Sequence, residues 1–175
     1  MSDSSSLHPT TRLAWKLPDD VSTDVIYPGR YMATVLPTET PQYAFADIAA
    51  LNKALLSGEI PRGSAIVAGR NFGCGSSREQ AASTLKGHEL VIIAKAFARI
   101  FVQNAINLGL RTIVCPDIDA NVGDELELGE ERVIDRTTGK SFATVPLPRS
   151  RQAIIDAGGL IPYTRKKLME SRRTG

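Results

Sequence analysis

The sequence predicts an α/β fold, a partly parallel sheet flanked by helices with additional antiparallel strands, and three observations carry that prediction. Short apolar runs at 64–69, 90–94 and 111–116 alternate with helical patterns through the middle of the chain, as βαβ units do. The stretch 124–147 instead alternates apolar and polar residues around Thr138-Gly139, the pattern of an antiparallel hairpin. The chain has 175 residues, 42% hydrophobic and 23% charged, enough to enclose a core without disulfide or metal staples.

Taken in order, the Ser-rich residues 1–10 read as a frayed tail. "TRLAWKL" (11–17) is a strand ended by Pro18 and Asp19-Asp20. "VSTDVIYPGRYM" (21–32) mixes β-branched residues with a Pro28-Gly29 turn, and the two prolines of 33–44 predict an irregular, mobile loop. Phe45, Ile48, Ala49, Leu51, Leu55 and Leu56 form the apolar stripe of a helix over 45–57, stopped by Gly58. A glycine-rich turn separates the strand at 64–69 from a helix at 77–86. After the next strand, Phe97, Ile100, Phe101, Ala105 and Leu108 recur at helical spacing, with Gly109 as the stop. A last helix over 149–157 ends at Gly158-Gly159, and "RKKLMESRR" follows as a solvated basic face. The predicted organisation is a tail (1–10), one domain (11–165) and a basic C-terminal tail (166–175), with no internal repeat.

Composition narrows the function. Lys and Arg number 21 against 19 Asp and Glu, an excess too small to point to nucleic acid or a membrane as partner. The basic tail lacks stacking aromatics beyond Tyr163. No run approaches the ~18 apolar residues of a membrane span, and the first ten residues lack the features of a signal peptide. Two cysteines, Cys74 and Cys115, fit reduced thiols rather than a disulfide framework or metal site. These features together predict a cytoplasmic protein.

The chemistry-bearing stretch is "GRNFGCGSSREQA" (69–81), three glycines and two serines between a strand and a helix. Such a turn aims backbone N–H groups and the positive helix end at an anion. A Walker loop would need Lys after the glycines, and none follows. A dinucleotide fingerprint would need Gly or Ala where Arg78 stands. A nucleophile elbow needs G-x-S-x-G, which Ser76 and Ser77 do not provide. His8 lies in the tail and His88 after the helix, so neither serves as base for a serine hydrolase. Two readings remain: an anion turn carrying reactive serines, or Ser76 as a helix N-cap completed by Glu79 in a capping box.

The stretch "NFGCGSSREQA" resembles the signature of the small "swivel" domain of the aconitase superfamily, as found in small subunits of 3-isopropylmalate dehydratase. "STDVIYPGRYM", "VIIAKAFARIFVQNAINLGL" and "GGLIPYTRKKL" resemble three further family segments in the same order. The match covers roughly 21–32, 63–116 and the end of the chain. It implies a single swivelling β/β/α domain and a hydro-lyase subunit that is inactive without its large subunit. The large subunit of such enzymes carries a [4Fe–4S] cluster whose open iron acts as Lewis acid on the leaving hydroxyl. Two cysteines cannot supply the three thiolate ligands of that cluster, in keeping with this division.

The resemblance also implies roles for residues. Ser76 becomes the base that removes a proton α to a carboxylate, with Gly73 and Gly75 shaping a turn that stabilises its oxyanion. Ser77 and Arg78 hold a substrate carboxylate, Arg78 by a two-pronged contact that Lys could not copy. Asp24 either orients an arginine or caps a turn. Asn71 and Cys74 read as structural, Phe97 and Phe101 as core, and Asn104 and Asn107 as partners of backbone groups near a helix end. Gln80 stands where many relatives have His. Tricarboxylate-handling relatives carry Arg in a "Y-L-R-x" loop, whereas this chain has "YMAT" (31–34). Ala33 and Thr34 thereby imply a site for a small diacid, with Arg30 as the cation a loop shift would bring in. The implied reaction is interconversion of 2- and 3-isopropylmalate in leucine biosynthesis. The alternatives are citramalate or citraconate, maleate, dimethylmalate or homoaconitate as substrate, or a non-catalytic anion-binding module.

Overall fold

A computed structural model describes residues 8–173. Seven strands form one mixed sheet in the order β4-β3-β2-β1-β5-β6-β7. Strands β1 (Thr10–Lys16), β2 (Ala65–Ala68), β3 (Val91–Ala94) and β4 (Arg111–Val114) run parallel, in register Ala65 opposite Val91 and Val91 opposite Arg111. Strands β5 (Glu125–Leu128), β6 (Arg132–Asp135) and β7 (Ser141–Ala143) continue antiparallel from β1. The Val145 N–H donates to the Val114 carbonyl at 2.9 Å, so the chain after β7 returns to β4 and the sheet curls.

Strands β2 and β3 are apolar at every position because both of their faces are covered. Ile66 and Ala68 of β2, with Ile92 and Ala94 of β3, face the helices. Ala65, Val67, Val91 and Ile93 face the inside of the curl, against Leu126, Leu128, Val133 and Phe142. The first core is closed by α2 (Ala49–Ser57), α3 (Glu79–Gly87) and α4 (Arg99–Leu108). A short α1 (Thr23–Ile26) follows β1, capped by Ser22, whose hydroxyl accepts from the Val25 N–H.

Several expectations need correction. The helix over 45–57 starts only at Ala49, because Phe45 is fully buried with φ of 51° and donates its N–H to Ile26 instead of starting a helix. Ile100 is exposed rather than core: α4 begins at Arg99, and the buried face runs through Phe101, Ala105 and Ile106. The segment 33–44 lacks α-helix or strand but is anchored, since Thr40 is buried, its carbonyl accepts from Thr84 Oγ1 at 2.8 Å, and 40–43 form a 3-10 turn. The helix over 149–157 is α5 (Arg149–Asp156); the basic stretch beyond it is helical, forming α6 (Leu160–Arg173), with Pro162 in its first turn where a missing N–H costs nothing. The frayed tail falls largely on residues 1–7, which lie outside the described residues, and Thr10 already belongs to β1.

Candidate active site

The parallel strands end side by side, and the chain that leaves them keeps pairing. The Gly69 N–H reaches Pro18, Asp20 reaches Arg70, Gly73 reaches Val21 and Thr23 reaches Cys74, all through backbone bonds of 2.8–3.2 Å. On the other side Phe72 exchanges backbone bonds with the segment after β3, accepting from Ala98 and donating to Ala96. The glycine turn is therefore a middle strand continued past the carboxyl edge of the sheet, where open α/β folds bind ligands. Gly73 (φ 82°) packs on α4 so closely that a Cβ there would lie 2.3 Å from Phe101 Cγ. Phe72 is fully buried between Phe97 and Phe101, edge-on to both rings. The glycines and phenylalanines of the motif thus fit against one another.

Beyond Gly75 (φ 96°) the chain comes off the sheet, and Ser76 and Ser77 are exposed. Arg78 occupies the N-cap of α3, with no side-chain capping bond. This corrects the capping-box reading: Glu79 is the first helical residue, and Ser76 lies two positions ahead of the cap. Its Oγ lies 3.1 Å from the hydroxyl of Thr23 instead. Among the described residues, the N–H groups of Ser76, Ser77, Arg78 and Glu79 have no protein acceptor. Four successive free donors at a helix N-terminus are suited to an anion. The Ser77 carbonyl accepts from Asn104 Nδ2 at 3.2 Å, which ties the turn to α4.

Arg78 reaches back over α1. Its Nη1 donates to Asp24 Oδ1 at 2.5 Å and to the Tyr27 carbonyl at 3.1 Å. Its Nε is buried without a partner, and Nη2 packs beside Gly29. The same Asp24 oxygen also accepts the Gly29 N–H at 2.9 Å. The Arg78 hydrogen bond, helped by that of Gly29, holds the Asp24 carboxyl below its ordinary 3.8. As arranged, Nη1 is spent on Asp24 and Tyr27, while Nε and Nη2 make no hydrogen bond among the described residues.

The loop that bears Ala33 and Thr34 is held from beneath. The buried Tyr27 hydroxyl donates to the carbonyls of Tyr31 and Thr34, and Tyr31 stacks on Tyr43 at 4.0 Å. Arg30 points away into a bidentate pair with Asp47 and lies over the Tyr31 ring. Ala33 is exposed and makes no polar contact through its side chain. Gln80 Nε2 approaches the Met32 carbonyl at 3.4 Å, joining α3 to this loop.

The donor set of this chain does not fit an iron–sulfur cluster. The sequence has two cysteines, and Cys115 is fully buried with its thiol directed at the Ala143 carbonyl. Among the described residues, no three His, Cys, Asp or Glu side chains gather as a metal site. His88 sits at the end of α3 and meets the Pro41 carbonyl at 2.8 Å.

Sequence reasoning brought Asp24, Gly73, Gly75, Ser76, Ser77 and Arg78 to one place, and the fold assembles them there. Two residues of this region carry no signal of their own in the sequence: Thr23 stands beside the charged Asp24, and Tyr27 reads only as part of a turn. Asn104 meets a backbone group near a helix end, the Ser77 carbonyl just ahead of α3.

Residues 57–117 match the family described as the aconitase C-terminal domain. The 3-isopropylmalate dehydratase small subunit of Methanosarcina mazei is 44% identical over 161 residues, covering 90% of this chain and 97% of that protein. The isopropylmalate/citramalate isomerase small subunit of Methanocaldococcus jannaschii is 43% identical over 164 residues, covering 90% and 95%. A crystal structure of 3-isopropylmalate dehydratase from Methanocaldococcus jannaschii superposes with a TM-score of 0.85 at 36% identity, covering 95% of this chain and 98% of that one.

Proposed function

This chain belongs to the family of 3-isopropylmalate dehydratase small subunits, and from that premise we propose that it supplies the proton-transfer side of a hydro-lyase interconverting 2- and 3-isopropylmalate. The observation that carries the reading is Ser76: an exposed hydroxyl at a turn of unfilled N–H donors, beside Arg78. A serine hydroxyl is a poor base in water and needs such a setting, since N–H groups and a helix end lower the cost of its oxyanion.

In this mechanism the substrate carboxylate lies against the free N–H groups ahead of α3 and the Nη2 of Arg78. Ser76 Oγ takes the proton from the carbon next to that carboxylate. The electron pair of the broken C–H bond becomes the second bond of the alkene as the hydroxyl departs, and return of water and proton at exchanged carbons completes the isomerisation. The iron–sulfur cluster that would polarise the hydroxyl belongs, in this reading, to the large subunit. The small subunit works in the cytoplasm, bound to that partner, and is inactive alone. No helix among the described residues is long and apolar enough to cross a membrane.

A small diacid is favoured over a tricarboxylate because the loop offers no spare cation. Ala33 has no charge, and Arg30 is committed to Asp47. A third carboxylate buried there without a partner would cost several kcal/mol, roughly 2–7 for a polar group by transfer measures and more for a charge. Citramalate is a second candidate, since the isomerase relative named above acts on both acids by its name.

The test is a substrate panel on the complex reconstituted with its large subunit. Isopropylmalate, citramalate, dimethylmalate and homoaconitate are compared by kcat/KM. Isopropylmalate leads if the reading holds, and preference for homoaconitate sinks it. In the same complex Ser76→Ala lowers kcat by roughly 10²–10⁴-fold, the usual span for a lost general base, while assembly is unchanged.

A further inference from the structure

Among the described residues, the hydroxyl proposed as base has one side-chain hydrogen-bond partner, the hydroxyl of Thr23. Thr23 is 2% exposed. Its N–H donates to Cys74 at 2.8 Å and its carbonyl accepts from Tyr27 at 2.9 Å, so its backbone is spent. What remains is a buried hydroxyl whose partner is Ser76 Oγ at 3.1 Å. A buried hydroxyl without a partner is costly, so the contact orients both groups. Thr23 is also stiff. It is β-branched, sits in α1 behind the Ser22 cap, and is pinned to the glycine turn by the Thr23–Cys74 bond one residue before Gly75. A Cβ on Gly75 would approach Thr23 Oγ1 to 3.5 Å, which shows how closely the two segments lie.

We propose that Thr23 is the positioning residue of Ser76, its hydroxyl donating to Ser76 Oγ and holding that oxygen ready to accept the substrate proton. The inference rests on the reading of Ser76 as base. While Ser76 keeps its proton, either hydroxyl can donate. Once Ser76 has lost it, the oxygen only accepts, and Thr23 must be the donor. A hydrogen bond to the charged form favours that form, so Thr23 makes the oxyanion easier to reach. It acts on Ser76 from the α1 side. The charged and titratable groups on the surrounding elements are Asp24 on α1, Cys74 in the turn, Arg78 and Glu79 at the start of α3, and Arg99 on α4. Of these, Arg78 and Asp24 neutralise one another. Thr23 therefore contributes a donor without adding charge.

The experiment uses the complex reconstituted with the large subunit and four forms of this chain: Thr23→Val, Thr23→Ser, Ser76→Ala and the double variant Thr23→Val/Ser76→Ala. Valine keeps the shape of threonine and loses the hydroxyl; serine keeps the hydroxyl. Thr23→Val is expected to lower kcat about 10²-fold, as removal of one oxyanion donor does, with KM within a few-fold. The rising limb of its kcat–pH profile moves to higher pH, because the deprotonated form has lost its donor. Thr23→Ser restores kcat to within a few-fold of wild type, and the double variant is no slower than Ser76→Ala alone. Thr23→Val with an unchanged kcat and pH profile would overturn the proposal, as would an inert Thr23→Ser in a complex that still assembles. Ser76→Ala at near-wild-type rate overturns the base reading itself, a result separate from either Thr23 outcome.

Discussion

Asp24 and Arg78 hold one another across the gap between α1 and α3, joining two segments 54 positions apart, and the contact decides how this region answers acid. Bonded to Arg78 and to the Gly29 N–H, the carboxyl titrates below its ordinary 3.8. With the folded value lowered, the interaction is fully present above 3.8 and fades only as pH falls through the lower folded value. An NMR titration of the Asp24 side chain should place its midpoint below 3.8, and Arg78→Gln should move it back up. An unmoved midpoint in that variant would assign the shift to Gly29 alone. Ser76, Ser77, Arg78 and Asp24 were legible in the sequence because each lies within a short continuous motif. Thr23 was not, since its meaning depends on a hydroxyl 53 positions away. The role of Arg78 also changed in the fold: the arginine expected to offer a free fork spends Nη1 on Asp24 and Tyr27.

At the scale of elements, the glycine turn and α4 behave as one piece. Gly73 has φ of 82° and lies against the Phe101 ring, so a methyl group there would collide with Phe101. Left-handed backbone at a non-glycine residue costs about 1–3 kcal/mol, and the collision adds to it. Gly73→Ala should therefore lower Tm by at least about 2–4 °C, the shift per kcal/mol for a chain of this size. It should also reduce turnover, because the same shift displaces Ser76. A variant with wild-type Tm and rate would mean that α4 gives way freely. Strands and helices of this central part were legible because strand, glycine stop and apolar spacing recur locally. Helix starts were not, as Phe45 illustrates. Its spacing suits a helix, yet burial against the first core and a bond to Ile26 hold it in a left-handed turn.

For the whole molecule, the closing of the curl is the event that the sequence leaves unstated. Val114 and Val145 meet where β4 ends, and the neighbouring Cys115 thiol is sealed against the Ala143 carbonyl. Burial pushes that thiol up to about 11. At pH 8 it is then only about one part in 10³ thiolate, and a reagent must wait for the sheet to open. A disulfide exchange reagent should label the half-buried Cys74 first, and Cys115 only at the rate of opening, with denaturant removing the difference. Equal rates in the native state would show that the curl opens freely. The sequence by itself determined the α/β class, the parallel centre with its antiparallel extension, and the glycine-serine turn between a strand and a helix. Each of these is written in neighbouring residues, through periodicity and through the conformations that glycine alone adopts. Only the tertiary structure decided that the sheet curls, that Arg30 faces Asp47, that Arg78 is held by Asp24, and that Thr23 meets Ser76. Those are contacts between segments far apart in the chain, and their geometry exists only once the parallel strands lie side by side and bring their carboxyl ends to one edge.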